Sequence, residues 1–263
     1  MTFAFTEQHR IEYETVGLTV LHGLIPPALL NDLRRETDTA RDVARRKGGP
    51  QVQRLQPVYA HNELDHRPFR EFLGLPGLRA SVEGILGPDY RPTDHMGVLL
   101  EPAEQAWTIG WHRDMIHNRA DLNADEDRWR VVLNPRMFSQ LNAALYDDHA
   151  LWVVPGSHLR RDTPQEWAVG TAGPGLTDEM SSVERELACL AHVRRMPGAT
   201  QVSLYAGDVA YYRATAWHVG SYVPYVKRAT LHDAFWGPED RTWRAEQQRI
   251  YDQRAAAALP AGR

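Results

Sequence analysis

The sequence predicts a mainly β fold with peripheral helices, a double-stranded β-helix closed as a jelly roll. Three observations predict it. From about residue 93 the chain is a series of short extended runs with turn residues between them. Helical periodicity concentrates before that point and in the tail. No GxGxxG follows a strand and no P-loop occurs, so a parallel nucleotide-binding sheet lacks its usual signatures.

Taken in order, residues 11–24 mix β-branched and apolar side chains and read as one or two short strands. Pro26 and Pro27 open a helix along which Leu29, Leu30, Leu33, Thr37, Ala40 and Val43 recur at helical spacing. Lys47-Gly48-Gly49-Pro50 ends it. A polar stretch over 50–67 holds His61 and His66, and short helices are expected near 68–74 and 76–86. Strands are then expected within 95–102, 137–147, 151–158, 200–208, 209–213 and 228–236. Two long polar connections, 117–135 and 160–197, separate some of these, the second with a helix near 177–190. On a β scaffold such connections serve as lids or binding loops. The Arg-rich segment 240–258 reads as a helix. The expected organisation is one domain over 1–263: a helical and strand part at 1–92, a jelly-roll core at 93–238 and a helical tail at 239–263.

At 263 residues, 43% hydrophobic and 24% charged, the composition is that of a soluble globular chain with a real core. A net charge of −4 with no basic run argues against a nucleic-acid partner. Cys189 is the sole cysteine, which excludes an intrachain disulfide and a thiolate metal cluster and fits a reducing cytoplasm. The first residues carry no basic start followed by an apolar core, so no secretion signal is read there, and no apolar run is long enough to span a bilayer. No heptad pattern is present.

The functional signal is Trp111-His112-Arg113-Asp114 taken with His218. On an extended segment His112 and Asp114 point to the same side. A second histidine alongside would give two imidazoles and one carboxylate on one face of a metal, a set that holds non-haem Fe(II) and leaves the opposite face open. An H-x-D triplet alone is weak, since a solvated histidine beside a solvated aspartate is the bland explanation. His218 strengthens it, because it follows a Gly207-Asp208 turn and a strand, with Gly220 allowing close approach of the backbone. Arg228, Thr230 and His232 share one strand face, and a guanidinium fork suits the distal carboxylate of a 2-oxo diacid whose other end chelates iron. A surface ion pair is the plain alternative for Arg228. Most of Trp107, Trp129, Tyr146, Trp152, Tyr211 and Tyr212 are expected in the core, with some lining an apolar pocket.

His112-x-Asp114, Pro155-Gly156-Ser157-His158, the Gly207-Asp208 to Trp217-His218-x-Gly220 segment and Arg228-x-Thr230 together resemble the phytanoyl-CoA dioxygenase (PhyH-like) family of Fe(II)/2-oxoglutarate oxygenases, over most of the chain. Gly17-Leu18-Thr19-Val20 and Leu145-Tyr146-Asp147-Asp148 are similar too. The resemblance implies a cupin-like jelly roll in which His112, Asp114 and His218 ligate Fe(II) and Arg228 anchors 2-oxoglutarate, with Thr230 as a helper and Gln140 and Asn142 lining the co-substrate pocket. No catalytic side chain beyond the metal ligands is implied. His158 is expected to hydrogen-bond rather than ligate, and His117 to be solvated. Arg113 and the Asp147-Asp148-His149-Ala150 turn depart from the family pattern; Arg113 is expected to reach substrate or solvent, and the turn reads as loop variation.

The implied chemistry uses 2-oxoglutarate and O2 as co-substrates and hydroxylates an unactivated C–H of a small molecule, with succinate and CO2 released. The carboxylate at Asp114 argues against halogenation, while desaturation, cyclisation and epimerisation stay open. A metal- or ligand-binding cupin-like module without turnover is the alternative. Substrate contacts are expected from 50–67, 117–135 and 160–180, and the substrate is an acyl-CoA or a small metabolite of specialised biosynthesis.

Overall fold

The computed structural model describes residues 3–114, 126–246 and 249. Two antiparallel sheets face each other. The larger has the order β1-β9-β6-β11-β4-β2 and the smaller β5-β10-β7-β8. Their strands are β1 (Leu18–Leu21), β2 (Arg54–Leu55), β4 (Gly97–Leu100), β5 (Trp107–Thr108), β6 (Ser139–Ala144), β7 (Leu151–Val153), β8 (Thr200–Gln201), β9 (Val209–Arg213), β10 (His218–Tyr222) and β11 (Ala229–Asp233). A separate pair joins β12 (Phe235–Trp236) to β3 (Arg91–Pro92). The jelly-roll expectation therefore holds as two opposed antiparallel sheets with peripheral helices.

Strand alternation sorts side chains onto the opposite faces of each sheet. Leu141, Tyr211 and Leu231 leave the larger sheet on its outer face. There they meet α1 (Glu7–Thr15), α2 (Pro27–Gly48), α3 (Arg67–Leu73) and α4 (Pro76–Ile85) through Tyr13, Leu33, Val43, Phe69, Phe72 and Leu78. Each such side chain taken out of water contributes about 1.5–3 kcal/mol, more than the intrinsic helix preference of any of these residues. Tyr212 and Ala210 leave β9 on the inner face and pack with Ala144, Leu151, Val153 and Leu204 between the sheets. The smaller sheet is covered outside by α7 (Ser182–Arg195), where Val193 and Met196 pack on Trp111, Trp217 and Val219.

The helices at 26–49, 68–74 and 76–86 form close to where the periodicity places them. Residues 11–24 differ: they hold the end of α1, a turn and then β1. The α1 segment is fixed by local polar bonds instead of an apolar stripe. Thr6 and His9 form a capping box, and Arg10 bridges Glu7 and Glu14 one turn away on either side. The stretch 160–197 holds two helices, α6 (Pro164–Ala172) and α7, the latter starting later than expected. Within 117–135 lies α5 (Glu126–Val132); 115–125, with His117, lies outside the described residues, as does most of the tail beyond a helix over 238–246. Among the described residues no helix is long and apolar enough to cross a membrane.

Candidate metal and co-substrate site

His112 and His218 sit directly opposite each other across an antiparallel bridge and exchange both backbone hydrogen bonds, 3.1 Å and 3.0 Å. This pairing puts their side chains on one face, with ring centroids 4.3 Å apart. Asp114 continues the same face, its backbone N–H donating to the Ala214 carbonyl at 2.9 Å. One ligand atom from each of His112, Asp114 and His218 lies within 4.8 Å of the others, and His112 Nε2 is 3.8 Å from Asp114 Oδ1.

The orientation of both rings follows from their neighbours. His112 Nδ1 is 2.8 Å from the Gly110 carbonyl and His218 Nδ1 is 2.9 Å from the Ala216 carbonyl. A carbonyl only accepts, so each Nδ1 carries a hydrogen and Nε2 is the ring nitrogen left over for a metal. A metal-ligating imidazole is held in this way, with its other ring nitrogen donating to a carbonyl. Gln140 Nε2 donates to Asp114 Oδ2 and sets the carboxylate's orientation. Burial favours the protonated form of Asp114, but His218, His112, His232 and the Gln140 amide outweigh it and hold the carboxyl below its ordinary range. Two imidazole nitrogens and one carboxylate oxygen form a donor set that fits Fe(II), with no thiolate to favour a softer ion.

These residues line a cavity of about 1000 Å3 between the sheets. Arg228 lines it as well, while Thr230 stands behind it. Arg228 Nε pairs with Asp148 Oδ2 at 2.8 Å, and Thr230 Oγ1 donates to that same oxygen at 2.7 Å. Asp148 Oδ1 accepts from the Ala150 backbone N–H at 2.8 Å. The guanidinium carbon sits 4.7 Å from the centre of the Tyr222 ring. Burial opposes the charge of Arg228, yet Asp148 and the neighbouring tyrosines raise its pKa above the ordinary value. Its Nη1 is buried and has no hydrogen-bond partner, which leaves one arm of a fixed fork for a carboxylate. Farther out, Arg228 is anchored by its backbone: its N–H donates to Glu101 at 2.8 Å and its carbonyl accepts from Arg41 of α2 at 2.9 Å.

Gln140, Asn142 and His232 occupy the inner face of β6 and β11. His232 Nδ1 donates to Asn142 Oδ1 at 2.8 Å, and burial, then Arg54, pushes the imidazole pKa down to about 3. Gly220 lines the cavity, and a Cβ there would lie 1.9 Å from the Tyr222 hydroxyl. Of the segments expected to meet substrate, 50–67 contributes Arg54 and Gln56 to the wall and 160–180 contributes Gly170, Thr171, Gly173 and Pro174.

Two expectations change. Arg113 does not reach solvent: it alternates away from His112 and Asp114 and is 1% exposed. It donates to the Ser157 and Thr215 carbonyls at 2.8 Å each and pairs with Asp162 at 2.7 Å. It thus ties the Gly156-Ser157 turn to the segment that carries His112 and Asp114. Asp148 is no loop variation, being the buried partner that holds Arg228. The signal available in the sequence was an aspartate four residues beyond a buried strand, which is indistinguishable from a turn residue until β11 is paired beside it. His158 hydrogen-bonds as expected, its Nε2 donating to the Glu14 carbonyl at 2.9 Å.

No protein-family model matches the sequence, and neither does any curated protein sequence. Solved structures do match. AviO1 from Streptomyces viridochromogenes Tue57 shares 16% identity at a TM-score of 0.59, over 90% of this chain and 97% of that one. EctD from S. alaskensis, solved with 2-oxoglutarate and 5-hydroxyectoine, shares 17% at 0.58, over 90% and 77%. SnoK from nogalamycin biosynthesis, described as a non-heme alpha-ketoglutarate-dependent carbocyclase, shares 15% at 0.57, over 88% and 83%. At these identities the likeness establishes the fold, the double-sheet scaffold common to these proteins.

Proposed function

We propose that this chain is an Fe(II)- and 2-oxoglutarate-dependent oxygenase of the PhyH-like type, with His112, Asp114 and His218 as iron ligands and Arg228 as the anchor for 2-oxoglutarate. One observation carries the reading: three ligand atoms within 4.8 Å share a cavity with a buried, partly unsatisfied guanidinium. The solved structures support it, since the EctD structure contains 2-oxoglutarate and SnoK is described as dependent on it.

When bound, Fe(II) with 2-oxoglutarate and O2 supplies the power to oxidise an unactivated C–H, releasing succinate and CO2. The chain's own residues do the positioning. The bridged strands fix two imidazoles side by side, and Gln140 aims the carboxylate. Asp148 and Thr230 hold the Arg228 fork so that a diacid binds in one orientation. Tyr212, Leu151 and Leu99 give the wall its apolar part and exclude water from the reacting face.

The substrate is a small molecule and the outcome hydroxylation, since Asp114 occupies the position a halide would need. Ring closure is the second outcome, on the precedent of the carbocyclase that shares the fold. The setting is the reducing cytoplasm. The test is succinate release from 2-oxoglutarate by the purified chain with Fe(II) under air: dependence on both supports the proposal, and a chain that binds metal but never forms succinate is a binding module.

A further inference from the structure

The cavity wall carries charge that the iron and 2-oxoglutarate do not absorb. Among the described residues its only carboxylate is Asp114, committed to the metal, whereas Arg54, Arg228 and Arg244 line it. Arg228 is neutralised by Asp148. Arg54 is different: it has no hydrogen-bond or ion-pair partner among the described residues, and its side chain is exposed.

Its direction is set by register. Arg54 pairs with Leu99 and Leu99 with Thr230, while Leu55 pairs with Val98 and lies in the outer core. Alternation therefore turns Arg54 to the inner face, in the row of Leu99, beside the row of His232. Gln56, two residues on, lines the same wall, with its side-chain amide donating to the His95 carbonyl at 2.6 Å. Arg244 places a second guanidinium on the wall, stacked 3.9 Å from the centre of the Trp236 ring. The chain as a whole is acidic at −4, so this positive wall is local to the cavity.

We propose that Arg54 is a substrate-recognition residue and that the primary substrate is a small molecule carrying an oxyanion, a carboxylate or a phosphate, which Arg54 binds at the cavity wall away from Arg228. The substrate class rests on the oxygenase reading, but the anion site is tested without it.

The experiment titrates metal-free full-length protein with inorganic phosphate, and separately with acetate, by calorimetry in low-chloride buffer. Saturable binding of either anion is expected, weakened about tenfold or more in Arg54→Gln and partly restored in Arg54→Lys. The tighter of the two anions indicates the head group. Phenylglyoxal labelling of the Arg54 peptide, followed by mass spectrometry, is expected to slow when the binding anion is present. Absence of saturable binding, or equal binding by Arg54→Gln, overturns the proposal. Because neither readout uses iron, 2-oxoglutarate or turnover, failure here is distinct from failure of the oxygenase assignment.

Discussion

Arg228 and Asp148 form a buried pair, Nε to Oδ2 at 2.8 Å, with side chains 6% and 5% exposed. Asp148 lies just before β7 and Arg228 just before β11, so the pair also bolts the smaller sheet to the larger. Removing one partner of such a pair leaves a charge without compensation, at a cost of about 3–5 kcal/mol. Asp148→Asn is expected to lower stability toward the small end of that range in urea unfolding. Arg228→Ala is expected to raise the 2-oxoglutarate concentration needed for succinate formation. In both variants calorimetry should find Fe(II) binding retained.

Loss of a ligand acts differently. Changes beside a metal ligand already cost about 10–100-fold in affinity, so removing a ligand costs more. His218→Ala and Asp114→Ala are each expected to weaken Fe(II) binding by more than about 100-fold and to abolish succinate formation. Circular dichroism should show the sheets intact, because the His112–His218 bridge is made by backbone atoms.

Gly220 has a steric reason to be glycine. A Cβ at that position meets the Tyr222 hydroxyl at 1.9 Å, and the Tyr222 ring supports Arg228. Gly220→Ala must displace one or the other, an overpacking cost of about 1–3 kcal/mol. The expected result is weaker 2-oxoglutarate binding with unchanged Fe(II) binding, read by separate titrations.

His158 gives the fold an acid-sensitive point. Burial pushes its pKa down to about 4 from an ordinary value of 6.5, against the favourable bond to the Glu14 carbonyl. The unfolded imidazole therefore takes up a proton that the folded one refuses, so stability is full above pH 6.5 and declines as pH falls toward 4. His158→Gln is expected to be less stable at pH 7 yet flatter between these limits in unfolding curves recorded across pH.

The candidate metal ligands were legible because their spacing is local: two residues on one strand face, and a histidine after a Gly-Asp turn. Arg228 was legible for the same reason, by its place on a strand with Thr230. The residues that support them were not. Asp148, Glu101 and Arg41 gain their meaning from pairing partners 80, 127 and 187 positions away from Arg228 or from it to them. The α1 segment was misread because Ile11, Tyr13 and Val16 carry β-type side chains, and the Thr6 cap and Arg10 ion pairs that decide for helix are polar. The α6 start was within reach, since Thr163-Pro164-Gln165-Glu166 spells a capping box with proline at the first helical position.

The central claim is that one cavity holds Fe(II) on His112, Asp114 and His218 and 2-oxoglutarate on Arg228. Anaerobic titration of the protein with Fe(II) and then 2-oxoglutarate, followed by visible absorption, tests it most directly. A weak charge-transfer band that saturates with 2-oxoglutarate, vanishes in His218→Ala and needs more 2-oxoglutarate in Arg228→Ala is the predicted result. A protein that binds Fe(II) yet shows no band at saturating 2-oxoglutarate, or whose band survives in His218→Ala, contradicts the claim.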